Sequence, residues 1–74
     1  MTKVISLYAV KDVYNFVRNA ERVEGDVIIS RGIYSINGKS ILGVMSLDVT
    51  EPFKVEYPDD ATSFNDYLLT FEAK

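Results

Sequence analysis

The 74-residue sequence contains no cysteine, no histidine and no tryptophan. Because cysteine is absent, the chain can form neither a disulfide framework nor a thiolate metal site, and it has no thiol nucleophile. Because histidine is absent, it lacks the side chain that most often acts as general base and as metal ligand near neutral pH. We therefore expect no catalytic residues, no metal site and no cofactor, and we predict that the protein is not an enzyme.

Charge and hydropathy disfavour two further classes of function. The formal net charge is −3, whereas a nucleic-acid-binding domain needs a basic patch to neutralise phosphates. No apolar run approaches the roughly 20 residues of a membrane span, and no N-terminal pattern predicts a secretory signal. We expect a cytoplasmic protein that binds neither nucleic acid nor membrane. An apolar content of 47%, with five Tyr and four Phe, predicts one folded domain over residues 1–74.

Hydrophobic periodicity in the first half of the chain predicts a strand, a helix and a hairpin. The alternation through Ile5 and Leu7 indicates the strand, and the helix that follows ends near Arg22. The hairpin is expected to turn at Arg31-Gly32, since glycine takes positive φ readily. The predicted core-facing stripe of the helix comprises Val10, Val13, Tyr14, Val17 and Ala20. The hairpin register would pair Ile29 with Tyr34 and Val27 with Ile36.

The second half predicts a short helix, a strand and a final helix. The short helix runs from Ser40 to about Leu47, and the final one has Asp59 or Asp60 available as N-cap. The strand faces inward through Phe53, Val55 and Tyr57, and the final helix through Phe64, Tyr67, Leu68 and Phe71. The element order β-α-β-β-α-β-α predicts an α+β open-faced sandwich, with a four-stranded antiparallel sheet and three helices on one face.

Two surfaces of this predicted fold are candidates for protein contacts. The short helix is apolar almost all the way round but can bury only one side, so we expect Val44 and Leu47 inside and Leu42 and Met45 exposed as a small apolar patch. The outer face of the sheet is expected to carry Val4, Tyr8, Ile28 and Ile33, which suggests a weak homodimer. Arg18 and Arg22, one helical turn apart, could receive an acidic or phosphorylated partner.

Residues 38–47 read GKSILGVMSL, and with the element order they carry a family resemblance. The sequence resembles the histidine-containing phosphocarrier (HPr) family of the bacterial sugar phosphotransferase system, and is similar in particular to its catabolite repression HPr members, which lack the active histidine. The family's second motif is Lys-Ser-Ile-Met/Leu-Gly-Val-Met-Ser-Leu, and residues 39–47 match it almost letter for letter. The resemblance implies a bacterial protein with the HPr-like fold.

The sequence departs from the family where the phosphate would be carried. In the family, a loop before the first helix contains His-Ala-Arg-Pro, and its histidine accepts the phosphoryl group. Here the chain reads SLYAVKDVYNF, with a connection about four residues shorter and with Lys11 and Asp12 opening the helix. Phosphoryl transfer needs an attacking side chain that also leaves readily, with charge-stabilising donors around it. We therefore expect no phosphohistidine carrier activity.

Ser40 has two compatible roles. Its position predicts an N-cap, and the matching serine of the family is phosphorylated by a dedicated kinase. The resemblance thus implies regulatory phosphorylation at Ser40 and a protein partner on the short helix, either HPr kinase or a transcriptional regulator. The partner-binding residues would be Lys39, Ile41, Leu42, Met45 and Ser46. The alternative is a structural or oligomer-forming HPr-fold domain with no role in the phosphotransferase system.

Overall fold

The computed structural model describes residues 1–72, which form four strands and three helices. The elements in chain order are β1 (Thr2–Ile5), α1 (Val10–Glu21), β2 (Ile28–Arg31), β3 (Tyr34–Asn37), α2 (Ile41–Met45), β4 (Phe53–Glu56) and α3 (Thr62–Leu69). The strands make one sheet in the order β1-β4-β2-β3, and every neighbouring pair is antiparallel. The predicted open-faced sandwich is confirmed.

The β4 strand shows how the sheet separates core from solvent. Phe53 and Val55 are buried, whereas Lys54 and Glu56 between and after them are exposed, so the predicted alternation is confirmed. Proline on either side, at Pro52 and Pro58, confines the strand because proline cannot donate to the ladder. β4 is nevertheless central in the sheet and pairs with β1 and β2.

The core is organised around aromatic rings from three elements. The Phe16 ring of α1 meets Phe53 of β4 edge-on at a centroid distance of 6.2 Å, and Phe64 of α3 at 5.8 Å. Tyr57, just after β4, meets Phe64 at 5.4 Å. Edge-on pairs are favourable because the positive ring edge faces the negative ring face. These contacts tie both long helices to the sheet.

The core-facing stripe predicted for α1 was partly wrong. Val13, Val17 and Ala20 are buried as expected, but Phe16 is also fully buried, whereas Val10 and Tyr14 are 60% and 53% exposed. The helix is rotated toward Phe16 because that ring fills the space between Phe53 and Phe64. Burying an aromatic side chain removes more apolar area from water than burying Val10 would.

The predicted hairpin turn was wrong by one residue. The two turn residues are Gly32 and Ile33, and the register pairs Arg31 with Tyr34 and Ile29 with Ile36. Gly32 has φ +58°, which puts the positive φ at the first of the two turn positions. A type II′ turn needs glycine only there, so Ile33 is tolerated at the second position. Its side chain is 94% exposed.

The outer face of the sheet is less apolar than predicted. Tyr8 lies beyond the end of β1 and Ile33 lies in the hairpin turn, so neither belongs to that face. Val4 and Ile28 remain on it, beside Lys54 and Glu56, whose side chains pair at 3.4 Å. The homodimer through this face stays a prediction, and two of the four apolar residues on which it was based do not lie on the face.

The final helix has the predicted face but a different start. Phe64 and Leu68 are buried, and Tyr67 packs against the core at their side. Phe71 also packs against the core, but it lies beyond the end of the helix at Leu69. Ala61 occupies the N-cap position without a side-chain hydrogen bond, so the predicted Asp59 or Asp60 cap was wrong. Asp59 instead pairs with the Met1 ammonium group at 2.7 Å, which lowers the pKa of its carboxyl.

Gly38 permits the close approach of the chain to Val27, just before β2. Its amide donates to the Val27 carbonyl at 2.7 Å, and an added Cβ would lie 2.7 Å from the Val27 Cγ1 atom. We predict that Gly38→Ala lowers the free energy of unfolding by about 1–3 kcal/mol, as overpacking does. Urea titration of the variant measures this, with the exposed β3 substitution Ser35→Ala as control. Equal midpoints for both variants would contradict the prediction.

Two tyrosines should respond oppositely to loss of the hydroxyl group. The buried Tyr67 hydroxyl has no hydrogen-bond partner among residues 1–72, whereas the Tyr57 hydroxyl donates to Asn65 Oδ1 at 2.5 Å. We predict that Tyr67→Phe raises the free energy of unfolding by about 1 kcal/mol and that Tyr57→Phe lowers it by a similar amount. Thermal unfolding at neutral pH measures both signs, and a loss of stability in Tyr67→Phe would contradict the interpretation.

Burial also makes Tyr67 sensitive to alkali. Desolvation, followed by the charge of Asp12, raises the pKa of Tyr67 from 10.0 to about 12. The hydroxyl therefore stays neutral in the folded state while it ionises in the unfolded chain, and stability falls as the pH rises from about 10 to about 12. Tyr67→Phe should show a shallower loss of stability across this window in pH-dependent denaturation.

Candidate protein-binding surface

The N-cap prediction for Ser40 is confirmed. Ser40 has extended backbone angles, and its hydroxyl oxygen accepts a hydrogen bond from the Gly43 amide at 3.2 Å. The helix it starts is short, ending at Met45 rather than near Leu47. Ser46 follows as C-cap, and its hydroxyl donates to the Gly43 carbonyl at 2.6 Å. Both serines therefore stabilise the ends of α2.

The two sides of α2 differ as predicted. Val44 is fully buried, and Ile41 and Leu47 are partly buried against the core. On the other side, Leu42 is 80% exposed and Met45 is 47% exposed. These two residues form the predicted apolar patch, which we call the α2 patch. That a partner binds it stays a prediction.

Gly43 lets α2 lie directly on the sheet. A Cβ at this position would be 2.8 Å from the Ile36 Cγ2 atom of β3 and 3.3 Å from the Ser40 hydroxyl oxygen. A side chain would push the helix away from β3 and disturb the Ser40 cap. Close approach to the sheet, rather than to a partner, thus accounts for this glycine.

Lys39, predicted to bind a partner, is engaged within the protein. Its ammonium group donates to the Val23 carbonyl at 2.7 Å, just beyond the end of α1. A cation is favourable at this place because the carbonyls at the C-terminal end of a helix carry partial negative charge. Lys39 therefore connects the N-terminal side of α2 to the end of α1.

The start of α1 places a carboxylate where an anion would bind. Ala9 is the N-cap residue, and the Asp12 carboxylate accepts a hydrogen bond from its amide at 3.2 Å. An incoming phosphate would meet this carboxylate, which would repel it. The segment before the helix is attached to the α2–β4 loop, because the Leu7 amide donates to the Val49 carbonyl at 2.7 Å.

A groove of about 210 Å³ separates the start of α1 from the end of α2. Its lining residues are Tyr8, Ala9, Val10, Val13, Met45, Leu47, Val49 and Thr50. The groove therefore continues the α2 patch through Met45, and the hydroxyl-bearing side chains of its lining are Tyr8 and Thr50. Sequence reasoning missed the part formed by Tyr8 and Val10, because it placed the first in a strand and the second in the core.

Arg31 holds the loop that forms one wall of this groove. Its guanidinium donates to three backbone carbonyls. They are the carbonyl of Asp48, the carbonyl of Glu51 at 2.8 Å and the carbonyl of Pro52 at 3.2 Å. Hydrogen bonds from the Thr50 side chain and amide, aided by the charge of Arg31, lower the pKa of the Asp48 carboxyl. The loop between α2 and β4 is thus fixed by side-chain bonds despite having no regular structure.

Residues 1–72 contain no group of three or more potential metal-ligating side chains close enough to hold an ion. Within the same range, no helix is long and apolar enough to cross a membrane.

Two solved structures are similar to this one over nearly its whole length. The crystal structure of HPr-C-His from Thermoanaerobacter tengcongensis superposes with a TM-score of 0.73 at 25% identity, covering 95% of this chain and 89% of that chain. The phosphocarrier protein HPr from Bacillus anthracis str. Ames superposes with a TM-score of 0.69 at 26% identity, covering 99% and 96%. The chain is a divergent HPr-like protein. No protein-family model and no curated protein matches its sequence.

This HPr-like protein keeps the fold of the phosphocarriers but contains no histidine. The resemblance first seen in residues 39–47 therefore extends to the order and pairing of all seven elements. At the start of α1, the Ala9 amide donates to the Asp12 carboxylate.

The Ser40 cap should have a measurable effect on stability. We predict that Ser40→Ala lowers the free energy of unfolding of the HPr-like protein by about 1 kcal/mol, because the Gly43 amide loses its acceptor. Chemical denaturation measures this loss, and Ser40→Asp, which restores an acceptor, should recover part of it. Ser35→Ala on the neighbouring strand serves as control. An unchanged midpoint for Ser40→Ala would contradict the prediction.

Proposed function

We propose that this protein is a non-catalytic, regulatory HPr-like protein of the bacterial cytoplasm. In this proposal it carries no phosphohistidine and acts by binding another protein through α2, in the context of the sugar phosphotransferase system and carbon regulation. Phosphorylation of Ser40 switches that contact. The observation that carries the proposal is the α2 patch, which remains exposed beside Ser40. At the start of α1, near which the family has its active histidine, the Ala9 amide donates to the Asp12 carboxylate instead.

The chemistry at the start of α1 supports a non-catalytic role. A phosphocarrier needs a nucleophile that attacks phosphorus and later releases it, and imidazole does both near neutral pH. The chain offers no imidazole, and the Asp12 carboxylate occupies the first turn of α1. Tyr8, 75% exposed nearby, carries a phenol, which is a poor substitute for imidazole.

The position of Ser40 supports a switch. Phosphorylation would add a charge of about −1.5 to −2 at the N-terminal end of α2, within one turn of Leu42. A partner that covers the α2 patch would then meet a dianion at the rim of its contact. Depending on whether the partner offers arginine or carboxylate there, the modification strengthens or abolishes binding.

The switch is tested with HPr kinase and ATP. We predict stoichiometric labelling of the wild-type protein and none of Ser40→Ala, whereas Ser35→Ala, at an exposed serine of β3, should still be labelled. Intact-mass measurement reads out all three proteins. Failure of the kinase to label wild-type protein would remove the phosphorylation part of the proposal.

The absence of carrier activity is tested separately. Incubation with phosphoenolpyruvate and the first enzyme of the phosphotransferase system should leave this protein unlabelled under conditions that fully label a complete HPr. Acid-labile phosphate on this protein would overturn the non-catalytic assignment.

The partner contact distinguishes the proposal from a structural or oligomer-forming role. Met45→Asp places a charge in the α2 patch and should abolish binding to HPr kinase or a transcriptional regulator in a pull-down. Ile33→Asp makes the same type of change at a 94% exposed site in the hairpin turn and should have no effect. Equal binding by both variants would favour the alternative role.

A further inference from the structure

The two edges of the sheet are protected to different extents. On the β1 edge, Ile5 forms a bridge to Glu72, and the Lys3 ammonium group pairs with the Glu72 carboxylate at 3.4 Å. The β3 edge has no strand partner on its free side within residues 1–72, and its strand contains no charged residue and no proline. Charged residues and proline are two of the devices by which edge strands avoid pairing with another chain. β3 lacks both of them.

Hydrogen-bond alternation determines which groups of β3 face away from β2. The Gly38 amide donates to the Val27 carbonyl at 2.7 Å, and these two residues continue the β2–β3 register as a hydrogen-bonded pair. In an antiparallel ladder, hydrogen-bonded and non-hydrogen-bonded pairs alternate. Counted back from Gly38, the residues at the non-hydrogen-bonded positions are Asn37 and Ser35. Their backbone groups therefore face away from β2.

Four of these outward backbone groups are available. The Asn37 carbonyl accepts from the Ser40 amide at 3.1 Å, but in the part of the chain that the structure describes the Asn37 amide and both backbone groups of Ser35 have no partner. The Ile33 carbonyl shares a trans peptide plane with the Tyr34 amide, which faces β2, so this carbonyl also points outward. The edge thus offers two donors and two acceptors to an antiparallel strand.

We propose that two copies of this protein pair through their β3 strands, antiparallel about a twofold axis at Ser35, and form one continuous sheet of eight strands. In this register, Ser35 exchanges two hydrogen bonds with the partner's Ser35, and each Asn37 amide donates to the partner's Ile33 carbonyl. All four available groups of each edge are then used. The contact lies outside the α2 patch and does not depend on the proposed function.

The side chains of β3 support a second copy as the occupant. Ile36 faces the core side of the sheet, opposite the buried Ile29, and Tyr34, two residues away, lies on the same side. The proposed register places Tyr34, which is 65% exposed, directly opposite the partner's Ile36, at a non-hydrogen-bonded position where side chains approach most closely. On the outer side, Ser35 meets its own copy, and two small uncharged side chains allow that approach.

Electrostatics also favour an uncharged occupant at this edge. The charged residues that flank the strand and its turn, Arg31 and Lys39, already donate to backbone carbonyls of their own copy. A second β3 strand is uncharged and needs no cation. Two molecules of net charge −3 repel each other at long range, whereas no charged side chain of β3 lies in the contact. Added salt should therefore strengthen self-association, because it screens the repulsion and leaves the contact unchanged.

The first test is the concentration dependence of the full chain. Because β3 has four residues, we expect a weak dimer, which sedimentation velocity at increasing protein concentration detects. In the isotope-labelled protein, the amide signals of residues 33–37 should shift with concentration. Hydrogen exchange of the Ser35 and Asn37 amides should slow, because these two donors become bonded only in the dimer.

A charge exchange at the twofold axis tests the register. Ser35→Lys and Ser35→Asp each place like charges face to face, and each should weaken self-association at least about tenfold. An equal mixture of the two variants should associate again, because opposite charges then meet across the axis. Thr2→Lys makes the same change of charge on the outer side of β1, opposite Glu56, and is the matched control that should associate like wild type.

Three results would overturn the inference. The first is a strict monomer at every concentration and salt level. The second is self-association with concentration-dependent shifts at Val4 and Ile28 instead of β3, which would identify the outer face of the sheet as the contact. The third is a mixture of the two Ser35 variants that associates no better than either variant alone. Weaker association in added salt would also contradict an uncharged contact.

Discussion

The packing of Phe16 between Phe53 and Phe64 determines how α1 is rotated on the sheet. When this ring is buried, Val13, Val17 and Ala20 on the same side of α1 are buried with it. Helical geometry then determines which residues of α1 are exposed. Val10 is brought to the groove beside Met45, and Tyr14 stays exposed. The α1 wall of that groove is thus a consequence of one aromatic contact in the core.

The comparison with phosphocarriers depends on the start of the same helix. An anion site there would need donors without a competing negative charge, but the Asp12 carboxylate lies in the first turn and accepts from the Ala9 amide. The Leu7 amide donates to the Val49 carbonyl. The fold is thus shared while the helix start carries a carboxylate, so that similarity in fold to a phosphocarrier does not imply its chemistry.

Much of this fold follows from local patterns, and the errors have identifiable causes. β4 was predictable because its alternation has period two and prolines limit it on both sides. The α2 patch was predictable because a helix that short cannot bury all of its apolar residues. The Arg31-Gly32 turn was misplaced because Gly32 fits either turn position, and the choice depends on the pairing of Arg31 with Tyr34. The roles of Val10 and Lys39 depend on contacts with distant residues, which local patterns do not contain.

The strand order also affects how the protein can be made. Among the strands of residues 1–72, β1 pairs with β4 alone, apart from a single bridge between Ile5 and Glu72, so its strand partner lies about 50 residues later in the chain. During synthesis, the N-terminal segment lacks this sheet neighbour until β4 has emerged from the ribosome. Closing that long loop is entropically costly before any contact compensates for it. The β1–β4 edge of the sheet is therefore expected to form late in the folding of this small domain.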